Sequence, residues 1–229
     1  MRFLALCLLF LCPVMGHAQD SRKVSCRFVC FEDTPPPPPL LNVIDKGVEV
    51  TCTILPDTFS PEVVCTAKSN VIGFISSVDR KPAATAAIPP GVNRVILIFF
   101  PPGKEPNALS WRVYVIDDSP KNFPDGGALV VNFHTQDLRI IIGEHKIQLK
   151  PGKCHGFAKP EQRDAFNMAE TVVEFQQKET WLGGSETLLR YIPGMRYLIF
   201  AHFDPVAERP RVTTYQDFSH PAAPPPKSK

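Results

Sequence analysis

Three features are missing from the sequence, and each absence excludes a class of protein. No apolar stretch approaches the roughly 18 residues of a membrane-spanning helix, so we expect no transmembrane segment in the mature chain. No basic cluster is longer than a dipeptide such as Arg22-Lys23, and 25 basic residues are nearly balanced by 23 acidic ones. Nucleic acid is not expected as a partner, because phosphate binding needs a concentrated positive face.

The third missing feature is the amphipathic helix. Pro160 to Ala169 is the single candidate, and a loop is the alternative for this segment. Short strand-like runs recur instead, separated by turns that use many of the 25 prolines. This pattern predicts an all-β protein built as a sandwich or barrel. The predicted strands are 24–31, 48–55, 62–68, 71–76, 94–100, 111–116, 128–134, 138–142, 146–149, 171–176, 187–192, 197–203 and 211–215. The glycine-containing segment 182–188 is expected to be a flexible hairpin loop.

The first 18 residues, MRFLALCLLFLCPVMGHA, have the features of a secretory signal peptide. Arg2 precedes an apolar run from Phe3 to Cys12, and small residues occupy both positions that a signal peptidase reads. We expect cleavage after Ala18 and a mature chain in the periplasm or outside the cell.

All six residues of the run from Val95 to Phe100 are apolar. Successive residues of a strand face opposite ways, so both faces of this strand are apolar. We predict a central strand that is covered on both faces or contacts a neighbouring domain.

Two segments 103 residues apart have related sequences. IPPGVNRVILIFFPP (88–102) aligns without gaps with YIPGMRYLIFAHFDP (191–205), which places His202 on Phe99. Upstream, LLNVIDKGVEV (40–50) resembles the predicted hairpin LRIIIGEHKIQL (138–149). These matches predict two tandem β-domains of related plan. The predicted boundaries are signal peptide 1–18, β-domain 24–102, linker 103–110, β-domain 111–218 and a disordered proline-rich tail 219–229.

The segment from Val92 to Gly152 resembles a group of exported bacterial β-rich proteins of unknown function. The shared motifs are an aliphatic strand, VxDDSPxxFPxG, a VVN strand, a glycine hairpin and LxPG, with a weaker continuation to Tyr215. The chain is also similar to immunoglobulin-type sandwich domains of bacterial envelope proteins. The resemblance implies an immunoglobulin-like sandwich fold, and no catalytic residues are carried over from it because none is established for the group. The chain departs from the pattern at Phe133-His134, where a small or polar pair is more usual, and in its additional cysteines.

Five cysteines follow the predicted cleavage site, and an exported chain meets conditions that permit disulfides. Cys26 and Cys30 would lie about 13 Å apart on a straight strand, too far to bond to one another. Cys52 and Cys65 can close a 12-residue hairpin loop, stabilising the fold by roughly 3 kcal/mol, or each can pair with Cys26 or Cys30 on a neighbouring strand. Cys154 is left as a buried thiol or as a site for intermolecular pairing.

The candidate metal-binding and catalytic residues lie in the second predicted domain. His134, His145, Cys154 and His155 are of the types that bind zinc or copper. Their spacings of 11, 9 and 1 match no compact ligand motif, so we expect polar loop ends, no metal and no cofactor. A loop-built hydrolase site would use His134, Asp137, His145 and His155, and it requires all four to converge at one end of the sandwich.

These observations predict an exported protein with a binding or structural role in the bacterial periplasm or cell envelope and no catalytic activity. Its expected partner is a protein or an envelope polymer. The first alternative is a pilus-chaperone-like or adhesion module that offers an edge strand to its partner. The second alternative is an envelope hydrolase with the loop-built site.

Overall fold

A computed structural model describes residues 21–31, 34–44, 47–105 and 108–218. These residues form sixteen β-strands and no α-helix, so the predicted all-β class is confirmed. The predicted signal peptide 1–18 and tail 219–229 lie outside the described residues. No helix in the described part of the chain is long and apolar enough to cross a membrane.

In chain order the strands are β1 (Ser21–Cys30), β2 (Leu40–Val43), β3 (Glu49–Cys52), β4 (Val63–Lys68), β5 (Val71–Ser76), β6 (Pro82–Ala87), β7 (Arg94–Phe100), β8 (Arg112–Asp117), β9 (Ala128–Asn132), β10 (Leu138–Ile142), β11 (His145–Leu149), β12 (Cys154–Phe157), β13 (Met168–Gln177), β14 (Thr180–Arg190), β15 (Arg196–Asp204) and β16 (Arg209–Asp217). We call β1–β8 the N-terminal strand set and β9–β16 the C-terminal strand set.

The N-terminal strand set forms one folded sheet in two layers. One layer has the order β4-β1-β7-β8, and the other has β3-β2-β5 with β6 beside β5. The layers join through β4 and β5, which pair only at their hairpin end, Lys68 opposite Val71. Phe28 and Phe99 of the first layer pack edge to face on Phe74 of the second, as expected for a β-sandwich.

The C-terminal strand set repeats this pairing scheme in two separate sheets, β12-β9-β15-β16 and β11-β10-β13-β14. Each strand of the N-terminal strand set corresponds to the strand of the C-terminal strand set whose number is eight higher. The correspondence includes the unusual parallel pairs, β1 with β7 and β9 with β15, among otherwise antiparallel neighbours. Inward side chains of both sheets, such as Ile140, Val173 and Ile199, form one core.

A third core lies between the two strand sets, and we call it the interface core. Ile96 and Ile98 of β7 contribute to it together with Leu198 and Phe200 of β15. The other face of β7 packs inside the N-terminal sandwich, because Val95, Leu97 and Phe99 belong to that core. The prediction that Val95–Phe100 is a central strand covered on both faces is confirmed. The ring of Phe31 anchors the edge of the interface core by stacking on Phe100 at 4.5 Å.

Several local predictions are wrong. The candidate helix 160–169 is not formed, and the alternative of a loop is confirmed for 160–167, where the Asp164 carboxylate accepts hydrogen bonds from the amides of Phe166 and Met168. Three strands are absent from the predicted list: β2, whose segment was noted only through its resemblance to 138–149, β6 with its four alanines, and the short β12. The segment 182–188, predicted to be a loop, lies inside β14.

The predicted linker 103–110 does not separate sheets. β8 follows it and pairs with β7 along Val95 opposite Asp117 to Phe100 opposite Arg112. The linker is therefore a connection within the N-terminal strand set. The chain leaves this set after β8 instead.

The ungapped repeat alignment is wrong by one residue within the strands. It places Val95, which faces the N-terminal core, on Leu198, which faces the interface core. Both matched turns keep a glycine at positive φ, Gly91 at 79° and Gly194 at 78°, but the first copy has one more residue before its strand. The correct offset in the strand is 102 residues, so His202 corresponds to Phe100.

Candidate functional site

A buried group of two arginines and two aspartates joins the strand sets. Arg196 at the start of β15 donates to Asp118 at 2.6 Å, to Asp217 at 2.8 Å and to the carbonyl of Phe123 at 2.8 Å. Arg27 on β1 donates to Asp217 at 2.6 Å and to Asp118 at 3.1 Å. The two positive charges balance the two carboxylates. We call these four residues the charge cluster.

The environment of the charge cluster keeps Arg27 charged. Burial on its own lowers the pKa of Arg27, but the hydrogen bond to Asp217 and the charge of Asp118 outweigh it and raise the pKa above its ordinary value. The guanidinium of Arg196 also lies 3.9 Å from the ring centroid of Phe123, a cation–π contact.

A cleft of about 630 Å³ opens beside the charge cluster. Arg94 stands at its rim with a side chain that is 54% exposed, 3.7 Å from Asp118 and 3.6 Å from Glu62. Each arginine of this cleft therefore already faces a carboxylate. We interpret the cluster as the polar connection between the strand sets, because its charges are paired with one another.

A second surface feature is the open edge of β14. This strand has 11 residues, contains no proline and pairs only with β13. Within the described chain no strand pairs with its other edge. Leu182 and Leu188 are 44% and 59% exposed. A long exposed edge of this kind presents unpaired N–H and C=O groups to another chain.

The edge of β14 bends at a β-bulge where Gly184 is the additional residue, between Gly183, opposite Glu174, and Ser185, opposite Val173. A Cβ atom on Gly184 would lie 2.1 Å from the ring of Phe175, so the close approach of backbone and ring requires glycine. A Cβ atom on Gly183 would meet nothing within 4 Å.

A groove of about 310 Å³ runs between β14 and β16. Phe175, Leu182 and Val212 contribute its apolar surface, and Arg209 stands at its side. Arg209 is exposed, and its side chain has no carboxylate partner among the residues that the structure describes. We call this feature the β14 groove, and it is the candidate binding site. Its position along the open edge of β14 suits an extended segment, and the exposed charge of Arg209 suits an anionic group.

The residues of the predicted hydrolase site do not converge. Asp137 directly precedes β10, whereas His145 pairs with Ile142 at the far end of that strand. Five residue steps separate Asp137 from Ile142, roughly 17 Å along the strand. His155 belongs to β12 in the other sheet. The requirement that the four side chains meet at one end of the sandwich is not fulfilled.

His134 is buried two residues after the end of β9, 8% exposed, with its ring 4.9 Å from that of Phe175. Its Nδ1 accepts the amide N–H of Gln136 at 3.1 Å, which requires the unprotonated nitrogen. Burial and the neighbouring His202 lower the pKa of His134. Asp137 is held by Lys150 at 2.6 Å, and this bond lowers its pKa. These are local structural roles.

The four candidate metal ligands are also dispersed; they are His134, His145, Cys154 and His155. The rings of His145 and His155 lie 6.4 and 4.9 Å from that of Phe157, but His134 contacts Phe175 instead. Across the described ranges no group of three or more histidine, cysteine or acidic side chains is arranged to hold a metal ion.

The four disulfide candidates are free, buried thiols, and Cys154 is a free, exposed one. Cys52 and Cys65 approach one another, with 3.8 Å between their Sγ atoms, but they are not bonded. The predicted disulfide is therefore absent from the structure. Burial raises the pKa of Cys30 to about 11. The pKa values of Cys52 and Cys65 are raised by neighbouring thiols and by burial, so these thiols are unreactive at neutral pH.

The β14 groove was not predicted from the sequence. The signal that marks it is the apolar content on either side of the two glycines in TWLGGSETLLR. Glycine is depleted in strands, so the pair indicates a loop when the segment is taken alone. The bulge explains Gly184 only when β13 and the ring of Phe175 are known to lie beside it.

Comparison with known proteins gives no assignment: no family model matches the chain, and no curated protein matches it significantly.

Proposed function

We propose that the chain is an exported protein of the bacterial periplasm or cell envelope that binds a partner polypeptide by strand addition at β14 and has no catalytic activity. The observation that carries the proposal is the 11-residue unpaired edge with its two exposed leucines. In strand addition the main chain supplies hydrogen bonds, and alternate side chains supply specificity. The leader-like sequence at residues 1–18 supports export.

We further propose that each strand set is one small sandwich domain, so the tandem arrangement divides after Asp118 rather than at 103–110. The matching pairing schemes of the two sets support this division. The immunoglobulin-like character stays a prediction: constant-type immunoglobulin domains have sheets of four and three strands, whereas each set here has four and four.

Photo-cross-linking tests the binding proposal. A photoreactive amino acid replaces Thr187 in the middle of β14, and the matched control replaces Val78, which is 77% exposed at the turn before β6. The tagged chain is expressed in the native cell and irradiated. We expect one discrete polypeptide adduct at position 187 and none at position 78.

A second variant measures the contribution of the edge. Leu188→Lys places a charge on the exposed strand, as edge-protecting lysines do. Burial of a leucine at an interface is worth about 1.5–3 kcal/mol, so we expect at least a tenfold loss of partner capture. A chain that forms no adduct at position 187, or captures its partner equally well with Leu188→Lys, contradicts the proposal. Retention on envelope polymer in place of a polypeptide adduct also contradicts it.

A further inference from the structure

The two strand sets can be compared residue by residue. The amide of Phe31 after β1 donates to the carbonyl of Phe99, and the amide of Phe133 after β9 donates to that of Ala201, both at 2.8 Å. Phe99 and Ala201 are therefore equivalent positions, 102 residues apart. This offset agrees with the side-chain directions, because Phe99 and Ala201 both face the core of their own strand set.

The last strand of each set follows from this register. Val113 lies opposite Phe99, and Val212 lies opposite Ala201. Two residues earlier, Trp111 of the N-terminal set corresponds to Pro210 of the C-terminal set. The local sequences agree with this assignment, since each of these residues is followed by Arg-Val.

The edge strands β6 and β14 correspond as well. Each carries a β-bulge at the equivalent place, one beside the step from Phe74 to Ile75 and one beside the step from Val173 to Glu174. The additional residue is Ala83 in the first bulge and Gly184 in the second.

The two sets differ in how this edge is closed. In the N-terminal set the amide of Trp111 donates to the carbonyl of Ala83 at 3.0 Å, which connects β8 to the bulge of β6. The equivalent donor in the C-terminal set would be residue 210. Proline has no N–H, so this bond cannot form. Proline is compatible with this position because an N–H at residue 210 would point to the open side of β16. It would take no part in the ladder between β16 and β15.

We infer that the β14 groove is a slot, kept open by Pro210, for an extended partner segment that carries acidic side chains on the side of β16. This inference rests on the proposed strand addition and specifies its partner. The segment supplies the N–H donor that Trp111 supplies in the other set. On the β16 side of the groove, Arg209 is exposed and has no carboxylate partner among the described residues, whereas Glu186 on β14 is exposed. A carboxylate of the partner segment is therefore attracted near Arg209 and repelled near Glu186.

Peptide binding to the full chain tests the inference. The probes are two fluorescently labelled extended peptides of alternating threonine and valine, with glutamate at every fourth position in one and lysine at the same positions in the other. We expect the glutamate peptide to bind measurably more tightly by fluorescence anisotropy. Arg209→Ala should weaken it about fivefold, the equivalent of about 1 kcal/mol, which is the upper end of what a solvent-exposed ion pair contributes.

Pro210→Ala is the decisive variant, because it restores the missing N–H with little change in bulk. We expect protection of the new amide from hydrogen exchange and about tenfold weaker binding of the glutamate peptide, the equivalent of about 1.4 kcal/mol. Pro205→Ala in the preceding turn is the matched control and should bind as the unaltered chain does.

The possible results separate the two proposals. Equal affinity for both peptides, no binding at millimolar peptide, or unchanged binding by Pro210→Ala overturns the slot. A dimer of the chain itself that depends on β14 also overturns it. If the slot fails while the cross-link at Thr187 persists, strand addition stands with a different partner chemistry. If the cross-link is also absent, the proposed function fails.

Discussion

Replacing Arg196 by methionine removes the buried cation that links Asp118 and Asp217 across the interface between the strand sets. The Arg196 side chain is 6% exposed, and the two carboxylates are 2% and 3% exposed. Methionine fills similar space without a charge. Loss of one partner of a buried ion pair costs about 3–5 kcal/mol, because a charge is left without compensation.

The lower end of this range applies here. Arg27 still donates to both carboxylates after the substitution, so neither aspartate is left without a cation. We therefore expect the free energy of unfolding to fall by about 3 kcal/mol. With a urea dependence of about 3 kcal/mol per molar, the unfolding midpoint moves down by about 1 M.

The repeat supplies the control for this experiment. Arg94 is the equivalent of Arg196 in the N-terminal set, but its side chain is 54% exposed and its nearest carboxylates are 3.6 and 3.7 Å away. An exposed pair contributes about 0–1 kcal/mol, so Arg94→Met should move the midpoint very little.

Urea unfolding is followed by tryptophan fluorescence, with Trp111 in the N-terminal set and Trp181 in the C-terminal set as separate reporters after replacement of the other by phenylalanine. A shift for Arg196→Met no larger than that for Arg94→Met would refute the assignment of the charge cluster as the connection between the sets.

Three further predictions concern single side chains. Because the pKa of His134 is lowered in the folded chain, the unfolded chain takes up a proton first as pH falls. The stability that depends on His134 is therefore full above about pH 6.5 and declines as pH falls through the folded pKa. Urea midpoints measured across pH should show this decline, and His134→Gln should flatten it. A thiol reagent should label only Cys154 among the five described cysteines of the folded chain, and all five after denaturation, as read by peptide mass mapping; native labelling at a buried thiol contradicts this. Gly184→Ala should cost about 1–3 kcal/mol by overpacking against the Phe175 ring, whereas Gly183→Ala should leave the thermal midpoint nearly unchanged, and equal midpoints for the two variants contradict the contact.

Patterns along the chain were sufficient for much of the fold. The apolar run of β7 predicted a strand covered on both faces, and the related segments 40–50 and 138–149 are the equivalent hairpins β2–β3 and β10–β11. Local signals were weak where a strand has few β-branched residues. The alanine-rich β6 is a strand because β5 and the core accept small side chains there.

The candidate site depended on information that no local pattern contains. The ungapped alignment of the repeats was one residue out of register, and a slip of one residue reverses every side-chain direction in a strand. That error concealed the correspondence of Trp111 with Pro210. The backbone hydrogen bonds of Phe31 and Phe133 define the true register, in which Trp111 corresponds to Pro210.

The sequence alone determined the all-β class, the two-sided burial of β7 and the approximate repeat, because hydrophobic periodicity and proline placement act within a few residues. Only the tertiary structure decided that β8 belongs to the first strand set, that the cysteines are unbonded and that the histidines stand apart. It also decided that β14 keeps an open edge beside Pro210. These features depend on which strands become neighbours, and strand pairing is determined by contacts between residues far apart in the chain.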